Sequence, residues 1–254
     1  MINFTLYTEI IMDKLKRDDE VLRRIIPGAT IIKMQVMDDY TEEAGGKYIN
    51  GLSFNVWDHR FNTISDAIAS IPWLVEIPID RYIWKAIGVF NTKDGTLYLI
   101  TSYANFIAVQ RKIKKGKYSH YMYPLTINNA TSTEQLSLDG FENDDTIAEK
   151  RLNEAKKILG DDFTRLKRTI IITYDYFEDA AVNGLEILVD NNFSIIDRLA
   201  IPEYESPSPD DDTIKHDNQE KSAEKQKSDR IVKWNANKIR RPITGEENNN
   251  GTSN

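Results

Sequence analysis

Residues 111 to 123 hold the densest set of groups able to do recognition chemistry. Arg111, Lys112, Lys114, Lys115 and Lys117 supply five cations with no acid among them, and Tyr118, His120, Tyr121 and Tyr123 follow directly. Cations in such a run track phosphates by charge, and aromatic rings offer stacking faces to unpaired bases, so the pattern points to contact with nucleic acid or another anion. The same residues have an ordinary use. If Phe106, Val109 and Ile113 form the buried stripe of a helix, Arg111, Lys112, Lys114 and Lys115 fall roughly opposite it, and cations near a helix C-terminus are favoured by the macrodipole. The aromatic run predicts a strand over 118–127, in which His120 faces away from Tyr121 and Tyr123, so only part of the set meets a ligand.

A second recognition pattern lies near the C-terminus, where RIVKWNANKIRRPI places Ile231, Trp234 and Ile239 beside Arg240 and Arg241 within polar sequence. An aromatic anchor flanked by charge can order itself on the groove or acidic surface of a protein partner. The identity of any partner is not written in these residues.

Catalytic patterns are sparse. The three histidines, His59, His120 and His216, are far apart, and the absence of cysteine removes thiol nucleophiles, disulfides and cysteine metal sites. His59 in WDHRF fits a strand-to-helix turn better than a base. Acidic pairs occur at Asp38-Asp39, Glu42-Glu43, Asp144-Asp145 and Asp161-Asp162, with a triplet at Asp210 to Asp212. Carboxylates of this kind hold a divalent cation only if several converge from elsewhere. Glu76, Asp80 and Glu186 are candidate strand acids, but none has the lysine two positions on that a restriction-nuclease-like set requires. There is no Walker loop, GxGxxG, GxSxG, HExxH or EF-hand pattern. No catalytic residue, metal ligand or cofactor is assigned, and the expectation is a non-enzymatic binding or regulatory protein. A metal-dependent hydrolase or nuclease built from dispersed carboxylates is the alternative, and a protein-interaction module acting through the tail is another.

The elements that must position these groups follow from periodicity. Apolar residues predict a helix over 8–26, closed by Pro27-Gly28, and a short helix carrying Ile64, Ile68 and Ile71. Residues 30–37 and 48–57 are predicted strands from their β-branched and aromatic content. Runs 84–91 and 96–101 flank Asp94-Gly95, whose glycine supplies the positive φ of a hairpin. Ser102 caps the helix that bears the cations, and Gly116 closes it. Thr146 and Glu149 match a capping box for a helix ending at Gly160. Residues 169–174 form a predicted strand, and 185–189 with 193–201 a closing hairpin. The pattern is α+β: a mixed, largely antiparallel sheet with β-hairpins and several packed helices over 1–202. Residues 203–254, rich in Pro, Asp, Lys, Glu and Ser, are expected to be a disordered tail, acidic first and basic later.

The blocks WKAIGVFNTKDGTLYLITSYANFIAVQRKIKKGKYSHYMYPL and GLEILVDNNFSIIDRLAI resemble an uncharacterised domain family of low-GC Gram-positive bacteria and their phages. The resemblance implies a shared fold and a host range, and it carries no activity or catalytic residue. With 33 basic and 40 acidic residues the net charge is -7, so any nucleic-acid contact must be a local patch. No apolar run approaches a bilayer span, and the first twenty residues lack the basic region of a secretory signal. A cytoplasmic location without membrane contact is expected.

Overall fold

Asp18 starts the first helix by accepting a hydrogen bond from the Val21 N–H at 3.2 Å, an N-cap that satisfies one orphan donor. The helix α1 (Asp19–Ala29) then buries Val21, Leu22, Ile25 and Ile26. It begins later than its periodicity predicts, and Pro27 lies inside its last turn on the exposed side. The computed structural model describes residues 15–43, 45, 48–81, 84–130 and 145–202. The tail expected over 203–254 therefore lies outside the described residues.

Two predicted strands are helices. Residues 33–37 open α2 (Lys33–Glu43), and the segment 48–57 runs into α3 (Leu52–Ala69). For the second the reason is a longer period: Leu52, Val56, Arg60, Ile64 and Ile68 recur every four residues and are all buried, a stripe that outweighs local β propensity, whereas α2 buries Val36 against Leu52 and Val56 of that helix. Four of these five are apolar; the fifth is an arginine. Gly28 lets α1 cross this helix closely, because a Cβ there would stand 2.6 Å from Ile64 and 2.8 Å from the Arg60 carbonyl.

The six strands β1 (Leu74–Arg81), β2 (Trp84–Asn91), β3 (Thr96–Ser102), β4 (Arg168–Tyr176), β5 (Ala181–Val189) and β6 (Ile195–Ala200) lie side by side in sequence order. Strands β1 to β3 form one antiparallel meander and β4 to β6 another. The two join through the parallel pair β3–β4, with Leu97 opposite Thr169 and Thr101 opposite Thr173. This is the mixed, largely antiparallel α+β sheet the pattern predicts. Gly95 takes φ +77° in the β2–β3 hairpin, as its Asp-Gly pair requires.

A parallel pair needs a crossover, and here it carries α4 (Tyr103–Ile113), α5 (Met122–Leu125) and α6 (Asp145–Leu159). The strand predicted over 118–127 is instead irregular chain followed by the single turn of α5, whose residues are all buried. Side chains settle which face each helix covers. Tyr176 donates to the Ala29 carbonyl and Asn91 to Asp18, so α1 covers the face bearing Tyr98 and Glu186. Asn105 donates to Thr101 and Thr169 to the Leu125 carbonyl, so α4 and α5 cover the other. Helix α6 packs on α5 through Arg151. Between the layers lies the apolar core, with Leu99, Ile171, Ile172 and Ile187 at its centre. No helix among the described residues is long and apolar enough to cross a membrane.

Candidate functional site

Among the described strands one neighbouring pair, β3 and β4, is parallel, so there two adjacent strands end together. The crevice outside such carboxyl ends is where open α/β sheets usually bind ligands. Strand β3 finishes at Ser102, whose hydroxyl accepts from the Asn105 N–H at 3.1 Å and caps α4. Strand β4 finishes at Tyr176 after a register shift between Thr173 and Asp175, an irregularity of the kind common beside binding sites. A crevice of about 610 Å³ opens at this point. Its floor is made by Ser102 and Tyr174 to Glu178, and its wall by Lys33 of α2 and Ser53, Trp57 and Arg60 of α3.

Arg60 is the unusual member, being 3% exposed. Its guanidinium lies 3.5 Å from the Tyr176 ring centroid and 4.5 Å from that of Trp57. Nε donates to the Ile31 carbonyl at 2.9 Å. Among the described residues the two terminal nitrogens have no acceptor and the side chain has no carboxylate partner, yet these nitrogens are not sealed from solvent. Burial pulls the Arg60 pKa down, with the Tyr176 ring group opposing, but a guanidinium starts so high that it stays charged. A cation removed from water normally needs an anion or a full set of acceptors. The π faces of Trp57 and Tyr176 supply part of that compensation. Burial in turn pushes the Tyr176 phenol up to about 12, so it remains neutral and donates to Ala29 at 2.8 Å.

The other charges at the rim are already engaged. Lys33, partly buried, faces the largely exposed Glu178 at 3.5 Å, a rim pair that solvent weakens. Asp175 accepts from the Asn183 amide at 3.0 Å.

A second compartment of about 320 Å³ adjoins the first, sharing Trp57 and Ser102 with it. Trp84, Ile100, Thr101, Asn105 and His120 complete its lining. The Trp84 indole leans on Tyr121 at 5.8 Å, and His120 lies 4.5 Å from the same tyrosine, so Tyr121 is the buried backing of this wall.

The basic run lies elsewhere. Arg111 and Lys112 occupy the last turn of α4, and Lys114, Lys115 and Lys117 follow around Gly116; all five are exposed and none is ion-paired among the described residues. Tyr118 stacks on Tyr123 at 4.7 Å. Of the residues singled out in this segment, the fold brings only His120 to the crevice. Because no strand forms, His120 is not set opposite Tyr121 by strand alternation; the two rings touch. Ile231, Trp234, Ile239, Arg240 and Arg241 lie outside the described residues.

Among the described residues the acids do not gather, and Asp144, Asp210 to Asp212 and His216 lie outside those residues. Asp80 pairs with Lys85 at 3.6 Å, Glu76 accepts from Ser65, and Glu186 is buried against Arg17 at 3.0 Å. Among the described residues no group of three or more His, Asp or Glu is placed to hold a metal ion. His59 is exposed on α3.

The sequence did carry one signal for the crevice that residue types alone hide. An arginine occupies the fourth-residue register of an otherwise apolar helical stripe, Leu52, Val56, Arg60, Ile64, Ile68, and a charge in a buried stripe asks for an explanation.

Neither the curated proteins nor the solved structures compared with the chain include a match. The profile described as a family of unknown function, DUF5986, matches residues 14–251. The chain belongs to that family, DUF5986.

Proposed function

We propose that this domain is a non-enzymatic binding protein whose crevice at the carboxyl ends of β3 and β4 takes an anionic ligand. The observation that carries the reading is Arg60, a buried guanidinium whose terminal nitrogens lack an acceptor among the described residues and border the crevice. Support comes from Lys33 at the rim and from the start of α4, where Ala104 lines the crevice and the first helical N–H groups lack intrahelical partners. The volume falls in the range of small-molecule sites, roughly 300–1,000 Å³. In this reading the protein works in the cytoplasm of a low-GC Gram-positive bacterium or its phage, through the folded region 1–202.

The test is thermal melting of the full chain with inorganic phosphate against chloride at equal ionic strength, beside Arg60→Met. A ligand that binds only the native state at a hundred times its Kd adds about 2.7 kcal/mol. The wild type should show a saturable rise in Tm that Arg60→Met lacks. An equal rise in the variant, or none in the wild type, overturns the reading.

A second reading has its own observation: five exposed cations, unpaired among the described residues, stand together from Arg111 to Lys117. They suit contact with the phosphates of a nucleic acid, with Tyr118, His120 and Tyr121 as the neighbouring rings. Replacing all five with glutamine should then reduce the salt slope of duplex oligonucleotide binding by up to about 4.5, since each phosphate contact contributes roughly 0.9. An unchanged slope removes it.

A further inference from the structure

The two compartments differ in chemistry, and that difference narrows the ligand. The larger offers a guanidinium and an ammonium, Arg60 and Lys33, with the carboxylates of Asp175 and Glu178 at its edge. The smaller is walled by the indoles of Trp57 and Trp84 and the imidazole of His120. Trp57 and Ser102 line both, so the two compartments are neighbours and a molecule that used both would run past these two residues. An inorganic anion would use the first compartment and leave the second without a role.

Flat aromatic walls favour a flat partner. Indole and imidazole faces stack on planar heteroaromatic rings with little regard to identity, because every such ring has a π face. Asn105 adds an edge for hydrogen bonding: its Nδ2 donates to Thr101 at 2.9 Å, and among the described residues its Oδ1 has no protein donor. The rim carboxylates are poor neighbours for a bare phosphate but good acceptors for hydroxyl groups. Asp175 accepts from Asn183 through one of its two oxygens, and Glu178 is largely exposed beside Lys33. A ligand with an anionic end, hydroxyls beside it and a planar heteroaromatic end uses every part of this lining.

We infer that the crevice binds a nucleoside phosphate, with the phosphate at Arg60 and Lys33 and the base between Trp57, Trp84 and His120. This inference rests on the anion reading above and adds the base compartment to it. The shared chemistry is a base joined through a sugar to a phosphate, supplied by a free mononucleotide or by the terminal nucleotide of a strand.

The test is calorimetric titration of the full chain with four probes: inorganic phosphate, a nucleoside, the corresponding nucleoside 5′-monophosphate, and a short single strand carrying a 5′-phosphate. The monophosphate or the phosphorylated strand should bind at least about tenfold more tightly than phosphate, the scale of one stacked base. Whichever of the two is tighter identifies the source. Asn105→Ala and Trp84→Leu should reduce that advantage while leaving phosphate affinity within about twofold, and Arg60→Met should weaken phosphate and nucleotide alike. Asn105→Ala covers the case in which loss of the Trp84 packing on Tyr121 harms folding. Phosphate binding with no gain from an attached nucleoside overturns this inference and spares the anion reading. No binding of phosphate or nucleotide overturns both.

Discussion

Two arginines lie against tyrosine rings on opposite sides of the sheet, and their surroundings differ in one respect. On the side of α5 and α6, Arg151 sits 3.8 Å from the Tyr123 ring centroid, donates from Nε to the Tyr123 carbonyl at 3.0 Å and from a terminal nitrogen to Thr126 Oγ1 at 3.2 Å. On the side of α1 and α3, Arg60 sits 3.5 Å from the Tyr176 ring and donates only from Nε. Burial lowers the pKa of both. Arg151 is a clamp whose donors hold the chain around α5. Arg60 clamps Ile31 with one donor and turns the rest to open space. A ring and a low dielectric are therefore common to the structural Arg151 and to Arg60, for which binding is proposed, and the unspent donors beside a crevice make the difference. The cations from Arg111 to Lys117 are the third case: in water a charge is stable without a partner, so their exposure alone explains less than the burial of one arginine does.

The largest effect is expected where a buried charge already has a partner. Arg17→Ala strands Glu186, which is 0% exposed and whose second oxygen has no partner among the described residues. Breaking a buried pair costs about 3–5 kcal/mol, and because Arg17 is 28% exposed on its side chain a loss of about 2–3 kcal/mol in urea unfolding is expected. This pair also sets a pH dependence. Burial raises the Glu186 pKa, with Arg17 opposing. The native state then holds the proton more tightly than the unfolded chain, so the contribution to stability is fullest below the ordinary carboxylate range and is lost as pH rises through the folded value. Glu186→Gln should remove that decline, and a slope identical to wild type would show that another group causes it.

Next in size is Arg151→Ala, which takes two hydrogen bonds and a ring contact from the α5 turn and should cost about 2 kcal/mol. The response to phosphate should be untouched. If Arg151→Ala abolished it, the two arginines would be alike and the comparison would fail. Arg60→Met keeps most of the buried stem, so a loss of about 1 kcal/mol is expected, with the phosphate response gone. Smallest is the replacement of all five cations from Arg111 to Lys117 by glutamine, which should leave Tm within about 2 °C, because exposed side chains contribute little to the native state. A larger drop would mean that these cations serve the α4 C-terminus rather than a ligand.

Local chemistry determined a good part of this protein. The Ser102 cap, the Asp-Gly hairpin with Gly95 at φ +77°, the apolar stripe of α4 and the helix that ends at Leu159 all rest on residues a few positions apart, and each can be read from the chain. The α+β class follows from them. Residues 33–37, 48–57 and 118–127 needed the tertiary structure, because short β-branched and aromatic runs fit a strand or a buried helix equally well until a packing surface selects one. The crevice needed it most. Arg60, Tyr176, Ser102 and Trp84 are scattered over more than a hundred residues, and they meet only because β3 and β4 pair in parallel and end side by side. Sequence spacing governs contacts along one helix or hairpin, whereas that pairing is a long-range choice made by the burial of the whole sheet.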